Sequence, residues 1–354
     1  MERKVCKRSK SLIHCLIVLQ LLLFSFFVPF GGAADQSDDQ HTAKLIEGAK
    51  KEGKLLWYVV FSLPDANAVM NGFNRKYPFI KTEIYRAGSQ VMVNKVLTEI
   101  KAGRNVFDVI DNDMLESFAF KEKGVFGKYL SPQRKFYLEG DKDPEGYWTG
   151  IYANKVVMGY NTRLVPPQDV PKTYEDLLAP RWKGKMAMDS KSYYEFAVWL
   201  QIMGGGDKGL AYMKKLSDQG IQFRSGRTLI GSLLAAGEFS LGLALFNTTV
   251  EFQKSQGAPV DWVALEPVID KTHALGVSAH APHPNAARLF VDYVLSREGQ
   301  EIIAKSFRTP TRIDVDAIVP KLKCNDKKKV PPDMNIARDF EKYVKLYNTV
   351  LMKR

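Results

Sequence analysis

The sequence predicts an α/β fold of two lobes, each built on a mainly parallel sheet flanked by helices. Short unbroken apolar runs of strand length alternate with amphipathic helical segments along the chain. The same alternation restarts after Tyr160, and 354 residues are enough for two such lobes. Buried strands without polar alternation are typical of parallel sheets that helices cover on both faces.

The first lobe shows a strand, helix, strand, helix, strand order. The apolar run LLWYVVF at residues 55–61 predicts the first strand, and a helix begins at Pro64. The second strand is predicted at 82–85, and the helix after it ends at Gly103. A third strand is predicted at 106–110.

The second lobe and the closing helices follow the same pattern. Strands are predicted at 185–188, 221–223, 239–246 and 262–265. Helices are predicted at 193–203, 210–216, 228–236, 285–295, 298–306 and 334–351. Because the chain has no long Gly/Ser tether, we expect two short crossings between the lobes, near 147–152 and 265–275.

The N-terminus is typical of a secretory signal peptide. Five basic residues precede an apolar run at 12–28, and small residues follow it. The alternative is a membrane anchor, but His14 and Gln20 interrupt the run and no basic cluster comes after it. We therefore expect cleavage after Ala34 and a periplasmic location. Removal of residues 1–34 lowers the formal charge from +12 to about +8, and the scattered lysines indicate a solvated surface rather than a nucleic-acid interface.

Candidate ligand-binding residues follow the predicted strands. Open parallel sheets bind ligands beyond the carboxyl ends of their strands, where helix N-termini offer free N–H groups. In the two lobes this rule selects Ser62, Arg86, Gly88, Ser89, Asp111, Asn112, Asp113, Ser190, Tyr193, Ser225, Arg227, Thr228, Asn247 and Thr248. Tyr152 is a further candidate, as an aromatic ring near one crossing. Each polar residue of this set also fits an ordinary helix cap, an alternative that the sequence leaves open.

Catalytic and metal motifs are weak. His280 and His283 form an H-x-x-H, but Pro282 and Pro284 flank the second histidine and predict a turn rather than a metal-binding helix. The sequence contains no phosphate-loop lysine motif and no dinucleotide glycine pattern. We therefore expect no enzyme activity, no catalytic residue and no cofactor. An exported enzyme on the same architecture remains the alternative.

Five segments carry a family resemblance. They are NGFNRKYPFIKTEIYRAGSQVMVNKVLTEIKAGRNVFDVI (71–110), VVMGYNTRLV (156–165), PKTYEDLLAPRWKGKMAMD (171–189), LLAAGEFSLGLA (233–244) and HPNAARLFVDYVLSREGQEII (283–303). In combination they resemble the type II periplasmic solute-binding proteins that feed ABC importers, extracellular solute-binding family 1, in the branch with ferric-ion, phosphonate and thiamine binders.

The resemblance implies a type II periplasmic-binding-protein fold with a ligand cleft between the lobes. It implies one discontinuous lobe, residues 35–147 plus 268–354, whose C-terminal helices return to the N-terminal sheet, and a second lobe at 148–267. We expect a monomer that captures a small-molecule solute and delivers it to an ABC permease in the inner membrane. A sensor subunit that signals to a membrane receptor is an alternative.

The resemblance also bears on iron. In the ferric-ion members, the strand after the AAGE segment leads into adjacent tyrosines that ligate iron as phenolates. The matching positions here are Asn247 and Thr248. Neither side chain supplies the anionic oxygen that ferric iron needs, so we expect no metal at that position. A ferric or ferric-chelate site built from other residues stays open as an alternative. Its ligands would be Tyr193, Tyr194, Asp111 and Asp113.

The class of solute follows from charged residues near predicted helix N-termini. Arg86, Arg224 and Arg227 favour a carboxylate, phosphonate or phosphate. Asp111 and Asp113, with aromatic residues nearby, suit an amine or a heteroaromatic cation. Both indications are met by a zwitterion, so we expect an anionic or zwitterionic solute.

Overall fold

The structure is a computed structural model that describes residues 33–330 and 333–353. Residues 1–32, which hold nearly all of the predicted signal peptide, lie outside the described residues. The sheet described below belongs to a compact unit that begins at Leu45. None of the described helices combines the length and the apolar character that a membrane span requires.

The elements agree with the predicted alternation. The strands are β1 Lys54–Val59, β2 Lys81–Arg86, β3 Val109–Asp113, β4 Thr149–Asn161, β5 Met186–Asp189, β6 Gln222–Arg224, β7 Leu241–Phe246, β8 Val260–Val263, β9 Val268–Val277, β10 Thr309–Pro310 and β11 Lys329–Val330. The helices are α1 Ala33–Glu52, α2 Leu63–Lys76, α3 Ser89–Lys101, α4 Met114–Glu122, α5 Tyr193–Ile202, α6 Gly206–Ser217, α7 Arg227–Ala236, α8 Asn247–Ser255, α9 Pro284–Leu295, α10 Arg297–Lys305, α11 Met334–Arg338 and α12 Phe340–Leu346. A short π-helical turn, Tyr347–Leu351, follows α12.

The strands form one sheet with the order β2-β1-β3-β9-β4-β7-β5-β6. We call β2, β1 and β3 the first flank, β7, β5 and β6 the second flank, and β4 with β9 the central pair. Within each flank the neighbouring strands run parallel, as the sequence predicts. The two strands of the central pair, β4 and β9, run antiparallel to each other. Strand β9 is also antiparallel to β3, and β4 is antiparallel to β7.

The two predicted crossings fall within the central pair. The segments expected to be short connections, 147–152 and 265–275, largely belong to the long strands β4 and β9. Their backbones pair from Thr149 opposite Leu275 to Val156 opposite Ile269. Polar and charged side chains on both faces interrupt the apolar pattern of these strands, which makes them harder to identify than the other strands. The link between the flanks is therefore a hydrogen-bonded strand pair.

Each flank has its own apolar core. On the first flank, Trp57 of β1 packs against Phe290 of α9 with ring centroids 5.0 Å apart. On the second flank, Phe196 of α5 packs against Tyr347 at 5.5 Å. Helices α9 and α10 thus pack near the N-terminal strands, whereas the final segment packs against the second flank, where the Tyr347 hydroxyl donates to the Asp189 carbonyl. The lobe boundaries 35–147 plus 268–354 and 148–267 stay a prediction.

Candidate functional site

Charged side chains from both flanks converge on one face of the central pair. Lys271 and His273 project from β9 on this side, because alternate residues of a strand share a face. The Lys271 Nζ lies 3.0 Å from Oδ2 of Asp113 at the end of β3 and 3.6 Å from Oε1 of Glu195 on α5. We call Asp113, Glu195, Arg227, Lys271 and His273 the charged network, and this side of the central pair the network face.

The pKa values of the network reflect mutual pairing in a buried place. Burial alone would lower the pKa of Lys271, but the Asp113 and Glu195 charges outweigh it and raise that pKa. Burial alone would raise the pKa of Asp113, yet Lys271 and His273 hold it well below its usual range. Burial lowers the pKa of His273 despite the nearby Asp113 carboxylate. At neutral pH the network therefore contains an ionised lysine, an ionised aspartate and a neutral histidine.

Arg227 joins the network from the start of α7. Its Nη2 lies 2.7 Å from Oε1 of Glu195 and donates to the Ser192 hydroxyl at 3.2 Å. Its Cζ also lies 4.5 Å from the ring centroid of Phe246. The guanidinium is held by a carboxylate, a hydroxyl and a ring, so it is oriented before any solute enters.

A strained backbone position supports Arg227. Ala244, within β7, has a φ of 51°, a region that residues with a Cβ rarely adopt. Its carbonyl accepts a hydrogen bond from Nε of Arg227 at 2.9 Å. Strained conformations of this kind persist only where the surroundings fix them, and they concentrate at functional sites.

A second group of residues lies beside the network on the first flank. The Tyr152 ring stacks on the His273 imidazole with centroids 4.3 Å apart. The Arg308 guanidinium lies 4.3 Å from the Tyr152 ring centroid, and its Nη2 donates to Oδ2 of Asp65 at 2.7 Å. Burial raises the pKa of Asp111 well above its usual range, which disfavours the charged form of this carboxyl.

The structure brings some of the predicted site residues to the network. Asp113 and Arg227 belong to it, and Ser89 donates to Oδ2 of Asp113 at 3.2 Å. Thr248 donates to Oδ1 of Asn154 at 3.3 Å, and the Nδ2 of that asparagine lies 3.5 Å from Nε2 of His273. Tyr152 is adjacent through its stacking on His273.

Two predicted residues are engaged in holding the backbone. Asn247 is fully buried, accepts from the backbone N–H groups of Lys155 and Thr248, and donates to the carbonyl of Leu322. Asn112 is also fully buried, and its Oδ1 accepts from the N–H of Asp113. The sequence placed residues 111–113 after a strand, but they lie inside β3, because their backbone pairs with residues 273–275 of β9.

The remaining predicted residues are exposed or half-buried. The exposed ones are Ser62, Arg86, Gly88, Ser225 and Thr228. Ser62 caps α2 by accepting from the N–H of Asp65, and Arg86 donates to the Phe61 carbonyl. Ser190 is half-buried, and its backbone N–H donates to the Arg224 carbonyl.

Tyr193 and Tyr194, the tyrosine pair of the ferric alternative, contact different parts of the structure. The Tyr193 ring packs 5.1 Å from the Tyr347 ring, whereas the Tyr194 ring lies 5.6 Å from the Lys271 Nζ. Burial raises the pKa of the Tyr194 phenol, which opposes the phenolate form that ferric iron requires. In the part of the chain that the structure describes, no group of three or more His, Cys, Asp or Glu side chains is arranged to hold a metal ion.

Sequence reasoning missed Lys271, His273, Glu195 and Arg308. The first two lie on β9, which the sequence presented as a crossing. Glu195 did carry a signal, since it is a single acidic residue in the apolar helical segment YYEFAVWL. A charge in such a segment indicates a buried ionic partner elsewhere in the fold.

Comparisons with known proteins agree with this architecture. Residues 108–338, more than half of the chain, match the family model described as "Bacterial extracellular solute-binding protein". An uncharacterised protein of Haemophilus influenzae is 27% identical over 273 residues, which are 73% of this chain and 77% of that protein.

Two solved structures are similar in fold. The periplasmic binding protein AfuA of Actinobacillus pleuropneumoniae, with fructose-6-phosphate bound, has a TM-score of 0.74 and 24% identity, covering 85% of this chain and 99% of AfuA. Iron-bound HitA of Pseudomonas aeruginosa has a TM-score of 0.73 and 20% identity, covering 82% of this chain and 98% of HitA. Identities this low show the fold alone, and they confirm the predicted fold class. By the family match, the chain belongs to the bacterial extracellular solute-binding proteins.

Proposed function

We propose that the protein is the solute receptor of an ABC importer, which captures a small anionic or zwitterionic solute between the two flanks and delivers it to a membrane permease. The observation that carries this proposal is Lys271, which lies on a strand shared by both flanks and contacts a carboxylate from each. A solute that binds these groups changes the contact between the flanks, which is how a hinged receptor couples binding to closure.

The charged network suits a solute with an anionic group. The Arg227 and Lys271 side chains are oriented, and each is paired with a carboxylate of the chain. An incoming carboxylate or phosphate takes the place of one of these carboxylates in a charge-assisted hydrogen bond. The affinity for the solute then depends on how well its anionic group replaces a carboxylate of the chain beside Arg227 or Lys271. No covalent bond in the solute is made or broken.

The finer parts of the proposal rest on the family. We infer a periplasmic location, the lobes 35–147 plus 268–354 and 148–267, a monomeric receptor, and binding without catalysis. Among the similar structures one has fructose-6-phosphate bound and another has iron bound. A ferric or ferric-chelate ligand is therefore the second candidate.

Native mass spectrometry tests the proposal. Residues 35–354 would be purified from the periplasm without refolding, and the native mass compared with the denatured mass. We expect an excess that matches a small organic anion or zwitterion. An excess that matches iron would replace the proposal with the ferric alternative.

A protein that carries no excess would be screened by thermal shift against small anions, zwitterions, amines and ferric chelates. Stabilisation by an anion or zwitterion supports the proposal through mass action on the folded state. Absence of stabilisation by every compound in the screen contradicts it.

A further inference from the structure

A cavity of about 130 Å³ opens beside Lys271. Its walls come from both flanks. Val93 of α3 and Leu115 of α4 line one side, and the aromatic residues Tyr194 of α5 and Phe340 of α12 line the other. The lining is mainly apolar, and its charged members are Lys271 and Glu116. The cavity therefore accepts a compact carbon chain with one charged or polar end.

The charges around this cavity leave one carboxyl without a cation of its own. Lys271 lies within 3.0 Å of Asp113, and Arg227 within 2.7 Å of Glu195, so these four groups pair. His273 is neutral at pH 7, because burial lowers its pKa, and adds no positive charge. Glu116 is the carboxyl that remains. When Glu116 is ionised, a cation is the charge that balances it, because the other two carboxylates already have cations.

Glu116 also has an unmet hydrogen-bonding need. Its Oε2 atom is out of contact with solvent and has no hydrogen-bond partner. Burial, together with the nearby charges of Asp113 and Glu195, raises the pKa of Glu116 to about 8, although Lys271 opposes the shift. A buried carboxyl oxygen without a partner is costly, and a positively charged donor placed against it removes that cost.

We propose that this cavity binds a protonated amine of the solute, with the ammonium against Glu116 and the adjoining carbon atoms against Val93, Leu115, Tyr194 and Phe340. The inference rests on the proposed function, because it assumes that the solute lies between the flanks. It narrows an anionic or zwitterionic solute to a zwitterion. At pH 7 the entering ammonium leaves Glu116 ionised, and the carboxyl proton passes to solvent.

Three probes of one shape but different charge test this inference: n-propylammonium, propionate and 1-propanol. Each is titrated into the full mature chain while NMR follows the Glu116 side-chain carboxyl and the Tyr194 amide. We expect a saturable response to n-propylammonium alone, with the apparent pKa of Glu116 moving below 7. We expect Glu116→Gln to weaken n-propylammonium binding about tenfold, because it removes a charged hydrogen-bond acceptor.

Glu122→Gln is the matched control, since Glu122 ends the same helix and is exposed, beside Arg338. This variant should bind n-propylammonium as the wild type does. A saturable response to propionate instead of n-propylammonium, or equal responses to all three probes, overturns the inference. Mass spectrometry that shows a retained plain anion overturns it too, yet leaves the proposed receptor function standing.

Discussion

The two faces of the central strand pair hold buried lysines in different ways. On the network face, Lys271 is shared by Asp113 of the first flank and Glu195 of the second. On the opposite side, the rear face, Lys155 of β4 pairs with Asp270, the residue directly across from it on β9. One lysine connects two flanks, and the other connects two adjacent strands.

The two lysines are therefore expected to affect different properties: Lys271 the closure of the flanks on a solute, and Lys155 the folding stability. The ion pair of Lys155 with Asp270 lies within the central pair, so it does not depend on how the flanks are placed. The contacts of Lys271 reach groups that come from different flanks, so they change when the flanks separate. We therefore expect substitutions on the network face to alter solute binding, and substitutions on the rear face to alter folding stability alone.

The largest effect is expected from Lys271→Met. The substitution leaves Asp113 and Glu195, with side chains 9% and 1% exposed, without their shared cation. Breaking a buried ion pair by removing one partner costs about 3 kcal/mol or more. Urea denaturation should show that loss in the free energy of unfolding. Lys328→Met, at an exposed lysine, is the control and should change it by less than about 0.5 kcal/mol.

Lys155→Met breaks the matching pair on the rear face. The Lys155 Nζ lies 2.7 and 2.6 Å from the two oxygens of Asp270. Asp270 is 21% exposed and regains some hydration when its partner is lost, so we expect a smaller cost of about 2 kcal/mol. Equilibrium unfolding measures it. A variant that folds normally but loses its solute would erase the distinction between the two faces.

Glu116→Gln should stabilise the protein at neutral and mildly alkaline pH. Burial raises the pKa of Glu116 in the folded protein to about 8, against an ordinary value of 4.5. Between these two values the folded state holds more protons than the unfolded state, so stability falls as pH rises. The amide removes that dependence, so its advantage is small near pH 4.5 and grows as pH rises toward 8. Thermal unfolding across this pH range would show a flatter profile for the variant, and parallel profiles would contradict the assignment.

The smallest effects are expected at the exposed strand ends. Arg86→Ala removes one hydrogen bond from an exposed residue to the Phe61 carbonyl, and Ser225→Ala alters an exposed hydroxyl, so neither should change stability by more than about 1 kcal/mol. Solute affinity should also stay near the wild-type value. A large loss of affinity in Arg86→Ala would move the solute from the network face to the end of β2.

The sequence predicts most elements because their burial is uniform. Strand β1 and helices such as α9 face one kind of surroundings, so their apolar pattern is plain. The central pair was missed because β9 alternates Asp270 and Lys271 between two polar faces, which leaves no apolar alternation to read. For the same reason, the rule that ligands bind beyond the carboxyl ends of parallel strands selected Asp113 and Arg227 but not Lys271. The sequence does not separate the hold of Asn247 on the backbone of Lys155 and Leu322 from ligand binding, because both use the same amide side chain.

The most direct test of the role of Lys271 is the affinity of three proteins for the solute that mass spectrometry or the thermal-shift screen identifies. Isothermal titration calorimetry would compare the wild type with Lys271→Met and Lys155→Met under conditions in which all three are folded. We expect Lys271→Met to raise the dissociation constant about a hundredfold, and Lys155→Met to keep it within about threefold of the wild-type value. Equal losses in the two variants, or a loss only in Lys155→Met, would contradict it.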